Sequence, residues 1–169
     1  VCWGSITAPS GVFESIDAGW HHACAVEEDG DVICWDSGGP MSASTPFGPF
    51  RSVSASHDFA CGVRESGLIA CWGTDRGGTV SDIPETLFES VSTGGYHACG
   101  VTTTGSIECW GRDWAGEASP PGGSYGVVAA GDSHTCALTT EGTVECWGSD
   151  SVGQSSPPSG TFVSVTADN

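Results

Sequence analysis

Two cysteines ten positions apart, a glycine six after the first and a tryptophan directly after the second: this pattern occurs four times. It reads "CAVEEDGDVICW" from Cys24, "CGVRESGLIACW" from Cys61, "CGVTTTGSIECW" from Cys99 and "CALTTEGTVECW" from Cys136. Eleven residues before each first cysteine stands an aromatic: Phe13, Phe50, Phe88 or Tyr125. Phe162 continues the series. These anchors are 37, 38, 37 and 37 residues apart. A fixed period of that length marks a propeller, a solenoid or an array.

Each unit reads as three strands. "FESVSTGG" (Phe88–Gly95) and its relatives form a short first strand, "HACGV" a second and "SIECWG" a third. The linkers "EEDGD", "RESG", "TTTG" and "TTEG" between the second and third are hairpin turns. If Cys24 opposes Cys34, then Val26 opposes Val32, and both pairs share one face. Ala23, Ala25, Ile33 and Trp35 fill the other face. Both faces are apolar, so neighbouring units should cover the hairpin on each side, as in a propeller. No stretch carries a long helical period, so helix content should be very low.

Four Cys-x9-Cys pairs raise metal binding as an alternative. Zinc prefers two to four residues between paired ligands and four converging ligands. Across a hairpin the two sulfurs already face each other at a separation suited to a bond. The expected bridges are Cys24–Cys34, Cys61–Cys71, Cys99–Cys109 and Cys136–Cys146. Each closes a loop of 11 residues (Cys24 to Cys34 inclusive), worth roughly 2.8 kcal/mol in the chain-entropy model. Persistent disulfides imply an oxidising compartment: extracellular, cell-surface or periplasmic. Cys2 is the ninth cysteine. It lies in "VCWGS", a third strand without its first two, and is expected to be unpaired or to pair between chains. "TFVSVTADN" (161–169) reads as a first strand whose hairpin does not follow. The expected organisation is one repeat domain over 1–169. It has a partial blade at 1–12, blades near 13–49, 50–87, 88–124 and 125–161, and a partial blade at 162–169.

The stretches "STGGYHACGVTTTGSIECWG" and "AAGDSHTCALTTEGTVECWGSDSVGQ" resemble the repeats of the regulator of chromosome condensation family, in their compact bacterial form. A propeller β-lactamase inhibitory protein has similarly short blades. The resemblance implies an all-β propeller of three- to four-stranded blades, usually seven of them. Seven blades of this size need roughly 260 residues, so four complete repeats imply an arc. Functions in the family range over nucleotide exchange, chromatin binding, ultraviolet sensing and enzyme inhibition, so the fold does not choose among them.

Charge narrows the choice. The net charge is −17, with four arginines and no lysine. Such a surface repels nucleic acid, whose phosphates need clustered Lys and Arg. No apolar run approaches the ~20 residues of a membrane helix, so no membrane insertion is expected. The acidic turn "EEDGD" (Glu27–Asp31) lacks the ligand spacing of a calcium loop. No metal site and no cofactor are expected.

Catalysis finds little support. His22, His97 and His134 share one repeat position, with Phe59 replacing His in the second unit, which reads as structural. Ser133 and His134 are adjacent without an acid or oxyanion arrangement around them. The chain is therefore not expected to be an enzyme. The periodic tryptophans (Trp3, Trp35, Trp72, Trp110, Trp147) read as core.

Positions that break the repeat are more informative. Three alternating strands put the first turn and the exit of the third strand at one end of the blade, and the hairpin turn at the other. That end should collect Trp20, His21, His57, Asp58, Tyr96, Arg76 and Trp114, ringed by acids. Variable loops on a rigid scaffold are where recognition usually lives. The expectation is a secreted, non-catalytic module that binds a protein partner, or a glycan, through this aromatic face. The alternative is a self-assembling subunit of a ring or filament, joined to further copies through its split ends.

Overall fold

A computed structural model describes residues 9–36 and 45–168. Cys2 and Trp3, with the rest of residues 1–8, lie outside the described residues. The described residues form twelve strands and no α-helix. β1 (Phe13–Ala18), β2 (His22–Glu27) and β3 (Val32–Asp36) make the first blade. β4 (Phe50–Ala55), β5 (Phe59–Arg64) and β6 (Ile69–Gly73) make the second. β7 (Phe88–Thr93), β8 (His97–Thr102) and β9 (Ile107–Gly111) make the third. β10 (Tyr125–Ala130), β11 (His134–Thr139) and β12 (Val144–Gly148) make the fourth. Each is a separate antiparallel sheet in simple chain order. Every blade has three strands, the lower end of the three to four expected.

The hairpin register is the one expected from the cysteines. Cys24 opposes Cys34 and Val26 opposes Val32, with the same offsets in the other three blades. The Glu27 N–H donates to the Asp31 carbonyl at 2.9 Å. Alternation from that rung makes Cys24–Cys34 a close, non-hydrogen-bonded pair. Its Cα atoms are 4.1 Å apart, and the other three pairs stand at 4.0 Å. All four bridges are formed. Just after each anchor aromatic the first strand carries a bulge: Phe13 pairs with Glu27, yet Ser15 pairs with Val26. The bulge recurs at the same place in the other blades.

The core lies between blades. Cys24, Val26 and Cys34 of the first blade pack against Phe50, Val53, Ala60 and Trp72 of the second. Cys61, Val63 and Ile69 pack in the same way against Phe88, Ala98 and Trp110. Cys99, Val101 and Ile107 pack against Tyr125, Val128 and Ala137. One face of each hairpin thus presents the disulfide and the other an aromatic and alanine, and the two faces are complementary. Burying a side chain like Phe88, which is fully buried, is worth up to about 3 kcal/mol.

Backbone bonds stitch one blade to the next at the hairpin end. The carbonyls of Gly30, Gly67, Gly105 and Gly142 accept the N–H of Phe50, Phe88, Tyr125 and Phe162, at 2.7–2.8 Å. These turn glycines have φ between 83° and 87°, where a β-carbon is strained. A second set of bonds links the first strands. The Asp17 carboxylate accepts the Ala55 N–H, and Ser54 and Ser92 hydroxyls accept those of Thr93 and Ala130, at 2.8–3.1 Å. Phe162 makes its stitch, but residues 162–168 form no strand, contrary to the sequence expectation. An extended segment becomes a strand only with a partner to complete the ladder, and no described strand pairs with it.

Candidate binding face

The end of the blades opposite the hairpins carries the variable residues. Trp20 follows β1, His57 and Asp58 follow β4, and Tyr96 follows β7. Arg76 and Trp114 follow the third strands β6 and β9. Their rings touch across blade boundaries. Trp20 and His57 have centroids 4.4 Å apart, and His57 and Tyr96 stand edge-on at 5.4 Å. The Arg112 guanidinium lies 4.6 Å from the Tyr96 ring and 5.1 Å from that of Trp114. A continuous track therefore runs Trp20–His57–Tyr96–Arg112–Trp114 over three blades. Both ends are open: Trp20 is 66% exposed and Trp114 88%. His21 touches the track only through Trp20, with centroids 6.0 Å apart.

Beside Tyr96 the track borders a cavity of about 600 Å³ lined by Arg76, Gly77, Tyr96, Arg112, Asp113 and Trp114. Arg76 is held by Asp58, with Nε 2.8 Å from Oδ2, and lies 5.9 Å from the Tyr96 ring. Arg112 is fixed more firmly. Its Nε donates to Glu117 Oε1 at 2.8 Å, and its Nη2 to the Ser133 hydroxyl at 2.8 Å and the Asp132 carbonyl at 3.2 Å. Glu117 is 1% exposed. Burial alone would raise its carboxyl, but backbone N–H bonds and Arg112 outweigh that and hold it below the usual carboxylate value.

The acids around the face serve their own loops. Asp75, Asp113 and Asp150 each follow the third strand, and each accepts the backbone N–H five residues on, at 2.8–3.1 Å. Asp113 and Asp150 also accept the hydroxyls of Ser119 and Ser156. Asp75 and Asp113 thus brace the loops that carry Arg76 and Trp114.

The repeated histidines fill structural positions. His97 is fully buried, and its Nε2 lies 2.7 Å from the Thr135 hydroxyl of the next blade. Thr135 donates its proton to the Glu117 carbonyl at 3.0 Å, so Nε2 of His97 carries a hydrogen and donates it to Thr135. Burial pushes its pKa down to about 4. A β-carbon on Gly94 would come within 2.5 Å of this ring. The pairing is visible in the chain itself: Gly19–His22, Gly94–His97 and Gly131–His134 recur, and the second blade has Ser56 with Phe59. Among the described residues no group of three or more His, Cys, Asp or Glu is placed to hold a metal. No described helix is long and apolar enough to cross a membrane.

Arg112, Glu117 and the cavity between Arg76 and Trp114 were not singled out from the sequence. The available signal was Arg112 itself: the equivalent positions hold Thr74 and Ser149, so it breaks the repeat as Arg76 does.

Residues 13–35, 88–113 and 128–154 match the model of the "Regulator of chromosome condensation (RCC1) repeat". No curated protein matches the chain. Among solved structures, the ectodomain of the Physcomitrella patens receptor kinase CR4 is 29% identical with a TM-score of 0.77, over 90% of this chain and 44% of that one. The CRINKLY WD40 ectodomain of the Arabidopsis thaliana receptor kinase ACR4 is 26% identical with a TM-score of 0.69, over 79% of this chain and 49% of that one. Prp20p from Saccharomyces cerevisiae shares the fold at 16% identity and a TM-score of 0.71, over 84% of this chain and 46% of its own. The chain thus spans about half the length of each of these three solved chains. Three of the four disulfide-bridged, three-stranded blades, the first, third and fourth, carry matches to the regulator of chromosome condensation repeat, and the chain shares the fold of the solved structures above.

Proposed function

We propose that the chain is a non-catalytic module that works outside the cell and recognises a protein partner through the aromatic track. The track itself carries the reading. Trp20, His57, Tyr96 and Trp114 come from four separate loops of three blades, yet they form one connected surface. Surface aromatics with open faces and an arginine between them are the residue types that dominate protein interfaces. Two further observations support the compartment. Four bridges need an oxidising environment to persist, and two of the similar solved structures are receptor-kinase ectodomains. Prp20p, which shares the fold, binds protein partners, Gsp1p and histones.

Recognition by this face is shape complementarity on a preorganised surface, since disulfides and blade packing fix the loops before binding. Trp114→Ala and Tyr96→Ala should each weaken partner binding by more than ~1 kcal/mol, with little change in melting temperature. Unchanged affinity in both variants would remove the face from the reading.

One observation favours a second reading, assembly. Phe162 repeats the interblade stitch to Gly142, and residues 162–167 run on from it without forming a strand. A hairpin supplied by another copy would complete that ladder. A monomer whose sedimentation is independent of concentration would contradict it.

A further inference from the structure

We propose that the cavity between Arg76 and Trp114 is a carboxylate site, and that its ligand is one acidic side chain in an otherwise apolar peptide segment of the partner. This rests on the aromatic track being a binding surface and names what the track binds.

Cations are scarce in this chain. The chain has four arginines and no lysine against 21 acidic residues. Two arginines brace the hairpin end. Arg51 donates to the carbonyls of Phe88 and Glu89. Arg64 donates to the Phe47 carbonyl at 2.7 Å and lies 4.6 Å from the Phe50 ring. The other two converge on one tyrosine: both guanidiniums face the Tyr96 ring. Each guanidinium spends its Nε on one carboxylate, Asp58 for Arg76 and Glu117 for Arg112, and keeps further N–H groups that a second carboxylate can use.

Donors are available for such an anion. Arg76 uses Nε on Asp58, and its two Nη groups have no hydrogen-bond partner among the described residues. Arg112 uses Nε and Nη2, and its Nη1 likewise has none. The neighbouring Asp113 does not compete, because its carboxylate is taken by Ala118 and Ser119. A carboxylate fits this set of donors in pairs. The apolar remainder of the ligand meets Trp114 on one side and Tyr96 on the other, and the track continues to His57 and Trp20. A linear track favours an extended chain. The cavity of about 600 Å³ takes the acidic side chain and its immediate neighbours. A polyanion is disfavoured, since the rest of the surface repels it.

The test is a display library of random heptapeptides, panned against the oxidised protein and counter-selected on a Trp114→Ala variant. The proposal expects enriched peptides with one Asp or Glu beside apolar or aromatic residues. Changing that acid to Asn or Gln should weaken binding at least 10-fold, and so should Arg76→Gln, a substitution at an exposed arginine that leaves the Arg112–Glu117 pair intact. Enriched basic peptides, as net charge alone would select, would overturn it. Peptides lost on Trp114→Ala but lacking an acid would overturn the carboxylate site and leave the face standing. An empty selection, or binding of polygalacturonate in place of any peptide, would also overturn it; the face would still answer to the Trp114 and Tyr96 variants with a folded partner.

Discussion

The two ends of each blade are built to opposite rules. At the hairpin end the sequence repeats itself: a glycine with φ near 85° turns every hairpin, and its carbonyl holds the next anchor aromatic. The two arginines there donate to backbone carbonyls. At the strand-exit end the turns after the first strands hold Trp20, His57 and Tyr96 in three successive blades, Tyr96 one position later in the repeat than the other two, and the loops after the third strands hold Arg76 and Trp114. The acids below them brace the loops. The difference teaches where to look in a repeat protein. Repetition marks what holds neighbours together, and its failure on a braced loop marks what is free to recognise something else.

Substitutions should separate the ends. The largest effect belongs to the repeated end. Phe88→Ala empties a fully buried site between the second and third blades, and chemical denaturation should show a loss of about 4 kcal/mol with binding to a partner unaffected under conditions where the variant is folded.

The strand-exit end also contains buried polar groups, among them His97. Its folded pKa of about 4 lies below the ordinary value of 6.5. The unfolded chain therefore binds the extra proton first as pH falls. The contribution is fully present above pH 6.5 and is lost as pH drops toward 4, with a total on the order of 3 kcal/mol. Melting temperature against pH should show this slope in the native protein. A His97→Gln variant should show a flatter one.

Opening one bridge by the double substitution Cys61→Ala and Cys71→Ala should cost about 2.8 kcal/mol by the loop-entropy argument. Urea denaturation of the variant beside the native protein measures it. Gly105→Ala places a β-carbon at φ +83° and should cost about 1 kcal/mol. Trp114→Ala should cost less than about 0.5 kcal/mol, since the ring is 88% exposed. A large stability loss at Trp114 would break the distinction between the ends.

Much of the scaffold was legible from spacing. The ten-residue cysteine interval with a central glycine fixed the register, and with it the bridges. The 37-residue interval made the neighbouring blade the cover for each face. What spacing did not reveal has a common physical origin: it depends on loops whose paths are set by hydrogen bonds within them. Glu117 is a buried acid whose partner, Arg112, is five residues away around a loop held by Asp113. The bulge after Phe13, Phe50, Phe88 and Tyr125 shifts pairing by one residue without changing the apolar pattern of the strands. The 162–168 segment has the pattern of a strand, yet strand pairing is a property of two segments.

The most direct test of the division between the ends is site-specific photo-crosslinking in the protein's native setting. A benzophenone side chain replaces Trp114 in one sample and the exposed Thr104 of a hairpin turn in another. If recognition belongs to the strand-exit end, the Trp114 position yields a discrete covalent adduct with a partner and the Thr104 position does not. Equal adducts from both positions, or an adduct from Thr104 alone, would contradict the account.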